Sequence, residues 1–162
     1  MPTKIPDSEK IEFKEKFIER YSKLTDFEEF KKYSLSFLRR SIRVNTIKTS
    51  INDLKKRLEK NWALEQVPWY KEGFFIEHIN KERRDIGNLM EHTLGYFYTQ
   101  EAASMIPPIV LEPEESDTVL DMAASPGSKT TQIAALMHNK GILVANDINS
   151  ARMKPLSLNV QR

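Results

Sequence analysis

The sequence contains no cysteine, and this absence restricts its chemistry more than any other. Without thiols the chain forms neither disulfides nor thiolate metal sites, and it has no cysteine nucleophile of its own. Long hydrophobic runs are also missing. No apolar stretch approaches the roughly 18 residues that span a bilayer, and the N-terminus lacks the apolar core of a signal peptide. We therefore expect no membrane association and a cytoplasmic location. His78, His92 and His138 are scattered, so we also expect no metal site.

The composition that is present is typical of a globular protein with one ordinary domain or two small ones. Of 162 residues, 40% are hydrophobic and 30% are charged. Residues 1–60 carry 16 Lys and Arg against 10 Asp and Glu, whereas residues 61–162 carry 9 against 13. A basic front half favours contact with a polyanion such as a nucleic acid. The solvated surface of Lys- and Glu-rich helices explains the same charges.

Hydrophobic periodicity in the front half predicts two helices and then a small mixed sheet. The predicted elements are helices over 8–24, 26–38 and 51–60 and strands over 41–47, 62–67 and 73–77. Arg39 and Arg40 lie at the entry to the sheet module, and alternation along the first strand places Arg43 and Asn45 on one face. That face could meet a phosphate backbone or base edges, and a solvated sheet edge is an equally simple interpretation.

The most informative segment is Val119–Thr131, which predicts a buried strand, a tight turn at Pro126-Gly127 and the start of a helix. Backbone amides at a helix start have no internal partner, and together with the helix dipole they attract anions and cofactors. A second predicted strand ends at Asp147, 20 residues after Gly127. That spacing is typical of βαβ units in which a carboxylate binds ribose hydroxyls.

Four interpretations of this turn differ in the ligand. A phosphate loop of nucleotide hydrolases needs glycine where Met122 stands, and Lys directly after the glycine, whereas Ser128 separates Gly127 from Lys129. A dinucleotide-binding turn needs three glycines, of which one is present. S-adenosylmethionine has a nucleoside and a carboxylate but no phosphate, so one sharp turn suffices; Lys129 could pair with its carboxylate and Asp147 could accept both ribose hydroxyls. A βαβ unit without any ligand is the remaining alternative.

Four ordered motifs resemble the Nol/Nop/Sun family of RNA 5-methylcytosine methyltransferases. The segment Asp121–Thr131, Asp-Met-Ala-Ala-Ser-Pro-Gly-Ser-Lys-Thr-Thr, is similar to the family's cofactor loop. The other three motifs are Arg43-Val44-Asn45-Thr46, the segment Gly95–Ser104, and Ala145-Asn146-Asp147 followed by Arg152, Asn159 and Arg162. The resemblance covers roughly residues 35–162.

The resemblance implies an α/β fold with a Rossmann-like S-adenosylmethionine-dependent methyltransferase domain, of which this chain holds the first βαβ unit. The expected domains are N-terminal helices (1–38), a small α+β RNA-binding module (39–80) and the start of the methyltransferase domain (94–162), with a junction near 80–94. The expected cofactor-binding residues are Ala123, Ala124, Ser125, Pro126, Gly127, Ser128, Lys129, Asp147 and Arg152. The candidate RNA contacts are Arg39, Arg40, Arg43 and Asn45, and Tyr98 and Gln100 are expected near the target-base pocket. The implied partner is tRNA or rRNA.

The chain departs from the family in its lack of cysteine. In the family one thiolate adds to cytosine carbon 6, a second cysteine assists release, and the base must leave its stack. Both cysteines normally lie downstream of the segments that this chain resembles. We therefore expect the front half of such an enzyme, inactive alone, either a fragment or completed by a second polypeptide; a parallel sheet of two strands would leave an open edge. The alternative is a stand-alone RNA-binding protein with a non-catalytic methyltransferase-like scaffold.

Overall fold

The computed structural model describes residues 3–81 and 85–162. It divides into two compact units, residues 1–39 and residues 40–162. All candidate site residues except Arg39 belong to the second unit.

The first unit contains two short helices, α1 (Glu15–Ser22) and α2 (Phe27–Ser34). Asp26 caps α2, because its carboxylate accepts a hydrogen bond from the Glu29 backbone amide at 2.7 Å. Both helices are shorter than their predicted spans. Before α1, residues 8–10 form a separate 3-10 turn and residues 11–14 are irregular, and α2 ends at Ser34. Aromatic rings from both helices and the preceding segment pack together, with neighbouring centroids 4.4 to 6.2 Å apart: Phe13, Phe17, Tyr21, Phe27 and Phe30.

The second unit begins with a four-stranded antiparallel sheet. Its strands are β1 (Ser41–Val44), β2 (Trp62–Gln66), β3 (Gly73–His78) and β4 (Phe97–Thr99), in the spatial order β2-β3-β1-β4. Helix α3 (Ile51–Leu58) begins after Ser50, whose hydroxyl accepts a hydrogen bond from the Asp53 amide at 3.1 Å. The buried core of this sheet and helix is Ile42, Val44, Leu54, Leu58, Trp62, Phe74, Ile76, Ile86 and Phe97.

Strand β4 is where the structure differs from the expected division of the chain. The expected methyltransferase domain of residues 94–162 includes β4, but β4 pairs with β1 in the small sheet, with Val44 opposite Phe97. Phe97 is buried in the core of that sheet. The pairing joins segments about 55 residues apart along the chain, and local periodicity contains no signal for such a contact.

The remaining elements form the predicted βαβ unit and its neighbours, although its first strand, expected to be buried, is partly exposed, with Leu120 57% exposed. Strand β5 (Thr118–Asp121), helix α6 (Ser128–Leu136) and strand β6 (Ile142–Ala145) follow one another, and the two strands are parallel. The flanking helices are α4 (Met90–Thr93), α5 (Ile106–Leu111) and α7 (Met153–Gln161). Pro155 lies in the first turn of α7, where its missing amide removes no helical hydrogen bond. Within the described ranges, no helix is both long and apolar enough to cross a bilayer.

Candidate cofactor site

The two parallel strands bring the glycine turn and the second acid to the same edge of the sheet. Asp121 at the end of β5 pairs with Ala145 at the end of β6, so the segments that follow both strands emerge side by side. The Ser125 backbone amide donates a hydrogen bond to Asp147 Oδ2 at 3.1 Å. Ligands of parallel α/β sheets bind at this carboxyl edge of the strands. The predicted loop and the predicted acid therefore lie in direct contact.

The Asp147 carboxylate is held by backbone amides and by one cation. Its side chain is 2% exposed, Oδ1 accepts a hydrogen bond from the Asn149 amide at 3.0 Å, and Arg152 Nη1 lies 3.5 Å from Oδ2. The Asn149 amide, the Ser125 amide and the Arg152 charge hold the pKa of Asp147 below its ordinary value of 3.8, although desolvation opposes them. The group is therefore an anion at neutral pH.

Asp121, the last residue of β5, has a different role from Asp147, which lies two residues after β6. Its Oδ2 accepts a hydrogen bond from Thr130 Oγ1 at 2.7 Å, and its Oδ1 accepts one from the Ala123 amide at 3.3 Å. Asp121 therefore connects the end of β5 to the first turn of α6 and shapes the loop between them.

Gly127 makes the sharp turn before α6. Its φ is +107°, a backbone conformation that residues with a side chain rarely adopt. A Cβ added at this position would lie 3.2 Å from Leu156 Cδ1. Helix α7 secures the preceding residues, because Asn159 Nδ2 donates to the Pro126 carbonyl at 2.8 Å. Arg152 Nη2 donates to the Ser125 carbonyl at 2.6 Å, and Ser125 Oγ donates to the Arg152 carbonyl at the same distance. Hydrogen bonds from Arg152 and Asn159 therefore hold the loop against α7 and the residue before it.

Replacing Gly127 by alanine is expected to lower the free energy of unfolding by about 1–3 kcal/mol, because alanine must adopt the same positive φ. Urea unfolding followed by circular dichroism measures the change. Gly87→Ala is the matched control, since a Cβ at Gly87 meets no atom within 4 Å. Equal stability of the two variants would show that the Gly127 backbone relaxes without cost.

Apolar side chains that the sequence analysis did not single out flank the site. Ile148, directly after Asp147, is 100% exposed, and Met122 in the loop is 73% exposed. Lys129 is also exposed, with its amine 3.4 Å from Ser104 Oγ. A fully exposed isoleucine beside the acid that follows β6 offers apolar surface to a flat ligand. In the sequence, the signal that could have identified Ile148 was an apolar residue directly after the predicted strand-end acid, Asp147.

The structure corrects the expected position of Arg43. Its side chain is 2% exposed and lies inside the protein, so it is not part of an RNA-facing surface. Nε donates to Gln100 Oε1 at 2.8 Å, and Nη2 donates to Thr131 Oγ1 at 2.8 Å. The expectation failed because alternation assumes one solvated face, whereas β1 is the third strand of four and all its residues are buried. Burial lowers the pKa of the Arg43 guanidinium to about 10.

The other candidates for RNA contact lie in different surroundings. Arg39 and Arg40 are exposed. Asn45 is half-buried and has a local role, because its Nδ2 donates to the Gly95 carbonyl at 2.9 Å and its Oδ1 accepts from the Ile47 amide at 3.2 Å. Asn45 therefore stabilises the turn after β1.

Gln100 and Tyr98 are adjacent to Arg43 but not equivalent. Gln100 is 4% exposed, and its Nε2 donates to Gln132 Oε1 at 2.8 Å, so it belongs to a buried polar network. Tyr98 is half-buried beside the loop, and its hydroxyl accepts a hydrogen bond from Asn159 Nδ2 at 3.3 Å. Burial raises the pKa of Tyr98 above its ordinary value, so the phenol is neutral at pH 7.

Two further features of the described residues bear on ligands. A cavity of about 850 Å³ lies between the β2–β3 turn and the end of α6, lined by residues that include Trp69, Tyr70 and Glu72. None of the predicted site residues lines it. Across residues 3–81 and 85–162, no three His, Asp or Glu side chains gather in a way that could hold a metal ion.

Comparison with families of known proteins covers nearly the whole chain. Residues 13–102 match the N-terminal domain of 16S rRNA methyltransferase RsmF, and residues 108–162 match the family 16S rRNA methyltransferase RsmB/F. A tRNA (cytosine(49)-C(5))-methyltransferase from Pyrococcus abyssi is 48% identical over 157 residues, which are 94% of this chain and 50% of that protein. Ribosomal RNA small subunit methyltransferase F from Shewanella oneidensis is 52% identical over 128 residues, 77% of this chain and 27% of that protein. The chain thus spans at most half the length of these relatives.

Solved structures agree on the fold. A methyltransferase homologue from Pyrococcus horikoshii superimposes with a TM-score of 0.74 at 34% identity, over 92% of this chain and 53% of that one. NSun6 from Pyrococcus horikoshii, solved with SFG, superimposes with a TM-score of 0.74 at 22% identity, over 89% of this chain and 61% of that one. The second match shows the fold alone. The architecture is that of α/β methyltransferases.

Proposed function

The chain belongs to the Nol/Nop/Sun family of RNA 5-methylcytosine methyltransferases, and we propose that it is the N-terminal portion of such an enzyme, carrying the S-adenosylmethionine site and an RNA-binding module. The observation that carries the proposal is the contact between the glycine-turn loop and the second acid, in which the Ser125 amide donates to Asp147 Oδ2 at 3.1 Å. It brings an anion-attracting helix start and a ribose-binding carboxylate to one sheet edge.

The residues at this edge fit the parts of S-adenosylmethionine, which supplies an activated methyl group when bound. Each carboxylate oxygen can accept two hydrogen bonds, and Asp147 Oδ1 accepts one, from the Asn149 amide, so it can also accept from a ribose hydroxyl. Ile148 offers its exposed side chain to the adenine ring. The amides at the start of α6 and the Lys129 amine complement the methionine carboxylate.

We assign the cofactor cradle to the backbone of six residues: Ala123, Ala124, Ser125, Pro126, Gly127 and Ser128. Arg152 would contribute indirectly, by holding this loop in place. Arg152 donates to the Ser125 carbonyl and lies beside the Asp147 carboxylate. It therefore connects the two halves of the cradle. This assignment predicts that small residues are needed at 123–128 so that the cofactor can approach the backbone.

We assign RNA binding to the four-stranded sheet and α3, which extends the module beyond residues 39–80 to include β4. Arg40 remains a proposed contact of this module, whereas Asn45 holds the turn after β1 and Arg39, which belongs to the first unit, stays a prediction from the sequence. Helix α3 and its ends add cations that the sequence analysis did not single out: Lys48, Lys55, Lys56, Arg57 and Lys60. Phosphate contacts of such residues give affinity that falls steeply with salt. Tyr98, half-buried beside the loop, is the proposed neighbour of the target base.

The chemistry of methyl transfer needs thiols that are not among these 162 residues. The relatives that act on tRNA or rRNA are about two to four times as long as the matched part. We therefore assign the cysteines to the part of such enzymes that the present chain does not match. The comparisons do not support a separate polypeptide that would supply them.

Equilibrium binding of tritiated S-adenosylmethionine tests the proposal. We expect saturable binding to the wild-type chain, with competition by S-adenosylhomocysteine and none by ATP, because the loop lacks the glycines that a phosphate chain requires. Absence of binding, with RNA binding that remains sensitive to salt, would instead favour a stand-alone RNA-binding protein with a methyltransferase-like scaffold. Competition by ATP would contradict both interpretations.

A further inference from the structure

Arg43 makes its contacts at the first turn of α6, directly behind the proposed cofactor loop. Its Nη2 donates to Thr131 Oγ1 at 2.8 Å, and Nη1 and Nη2 lie 3.4 and 3.5 Å from the carbonyls of Thr131 and Ser128. Nε donates to Gln100 Oε1 at 2.8 Å. All of these hydrogen-bond acceptors are neutral groups, and electrostatic interactions with Tyr70, Tyr98 and the buried Glu72 also favour the charged guanidinium. Such a group is costly to bury, as the lowered pKa of Arg43 indicates.

The Thr131 hydroxyl connects Arg43 to the loop through two hydrogen bonds. A guanidinium is only a donor, so the hydroxyl must accept from Arg43, and its single proton is left for another acceptor. That acceptor is the Gly127 carbonyl, 2.7 Å away. The same carbonyl accepts from the Thr131 backbone amide at 2.9 Å. Two donors from one residue therefore fix the direction of the Gly127 carbonyl.

Fixing this carbonyl also fixes the amide on the other side of the same peptide bond. The peptide plane is rigid and trans, so the Ser128 N–H points opposite to the Gly127 carbonyl. Ser128 is the first residue of α6, and its amide is one of the donors without a helical partner. That amide faces away from the helix, toward the place where the loop would receive an anionic group.

The opposite side of Arg43 is equally constrained. Gln100 Oε1 accepts from Arg43 while Gln100 Nε2 donates to Gln132 Oε1 at 2.8 Å, and Gln132 Nε2 donates to the Met105 carbonyl at 2.9 Å. Arg43 and Gln100 belong to the small sheet or its end, whereas Gln132 and Thr131 belong to α6. The Arg43 guanidinium is therefore held in a single position relative to both the small sheet and the loop.

We propose that Arg43 is a positioning residue for the methyl donor: through Thr131 and the Gly127 carbonyl it aims the Ser128 amide at the carboxylate of bound S-adenosylmethionine. This inference rests on the proposed function of the loop. It also gives the arginine of the first strand a task other than RNA contact, and it links the geometry of the cofactor loop to the RNA-binding sheet.

The test compares Arg43→Met, Thr131→Val and the double variant in the 162-residue chain. Each single variant breaks the chain of contacts from Arg43 through the Thr131 hydroxyl to the Gly127 carbonyl, which we call the relay, while keeping side-chain volume. We expect each to weaken binding of tritiated S-adenosylmethionine about tenfold, the value of one well-placed hydrogen bond. The double variant should be no weaker than the singles, because both break one chain of contacts. Tenfold losses that multiply to a hundredfold would overturn the relay.

A stability control separates positioning from general structural damage. Leu54→Ala removes a buried side chain from the sheet core and should destabilise the fold without changing cofactor affinity in the folded state. Arg43→Met leaves the buried Gln100 Oε1 without its Arg43 donor, so its own free energy of unfolding is measured beside that of Leu54→Ala. An affinity that falls in Leu54→Ala as it does in Arg43→Met would show that Arg43 acts only through stability.

Amide hydrogen exchange without any ligand tests the relay independently. We expect the Thr131 amide, which donates to the Gly127 carbonyl at 2.9 Å, to exchange at least several-fold faster in Arg43→Met than in the wild-type chain, while amides of α3 are unchanged. Unchanged exchange at Thr131 would overturn the inference. If the wild-type chain fails to bind S-adenosylmethionine but the exchange rates shift as expected, the proposed function fails while the relay stands.

Discussion

The 162-residue chain, incubated with S-adenosylmethionine and tRNA or rRNA, is expected to transfer no methyl group to carbon 5 of cytosine. That carbon is a poor nucleophile until a thiolate adds to carbon 6, and the chain has no cysteine to provide the thiolate. Ser and Thr hydroxyls do not replace it, because they are not ionised at neutral pH without an activating base. Cofactor and RNA bound at adjacent sites would therefore remain unreacted.

Incorporation of tritium from the labelled methyl donor into RNA, followed by nucleoside analysis, measures this outcome. The tRNA (cytosine(49)-C(5))-methyltransferase of Pyrococcus abyssi, assayed in the same buffer, is the positive control. Binding of the cofactor by the present chain must be shown in the same preparation, so that a negative result does not reflect misfolding. Labelled 5-methylcytosine produced by the purified chain would contradict the requirement for a thiolate.

Removal of the Asp147 carboxylate is expected to produce the second large effect, a loss of cofactor affinity of about 100-fold in Asp147→Ala. The variant loses the acceptor proposed for the ribose hydroxyls. The variant also removes the hydrogen-bond acceptor of the Ser125 and Asn149 amides, which both donate to the Asp147 carboxylate in the wild-type chain. The loop and the ribose site would be disrupted together, because one side chain serves both.

Asp117→Asn is the matched control for Asp147→Ala. Asp117 caps a turn before β5, accepting a hydrogen bond from the Glu114 amide at 2.9 Å, and lies at the opposite end of the same two-stranded sheet. Its replacement should leave cofactor affinity unchanged. Equal affinity of wild-type chain and Asp147→Ala, measured with tritiated S-adenosylmethionine, would exclude the carboxylate from the site.

The lowered pKa of Asp147 sets the direction of its pH dependence. Because the folded-state pKa lies below the ordinary value of 3.8, the carboxylate favours the folded loop above that pH, and this contribution is lost only as pH falls through the lower folded value. Cofactor affinity should therefore not decline between pH 7 and pH 5 through this group.

Local patterns were sufficient for most helices and strands and for the turn that carries the proposed chemistry. The three front-half helices, the strands β1 to β3 and the Pro126-Gly127 turn depend on residues close together in the chain, and each is present in the structure. The acid at position 147 was predictable because the length of a βαβ unit is restricted by the helix that crosses the sheet. These features follow from short-range geometry.

Burial of charge was not predictable in the same way. Strand alternation placed Arg43 on an open face, yet β4 covers one edge of β1 and α6 receives the guanidinium. Both neighbours lie more than 50 residues further along the chain. Whether an arginine faces solvent or the interior depends on what packs against its strand, and periodicity reports only the strand itself.

The amino-acid order alone determined the βαβ unit, the glycine turn, the family resemblance and the lack of a thiol nucleophile, because each depends on residue identity or on contacts within a few residues. Only the tertiary structure decided that β4 joins the small sheet, that Arg43, Gln100 and Gln132 form one buried network, and that Ile148 stands exposed beside Asp147. Each of these features depends on which segments, far apart in the sequence, pack together and exclude water. Only the folded chain as a whole determines that packing.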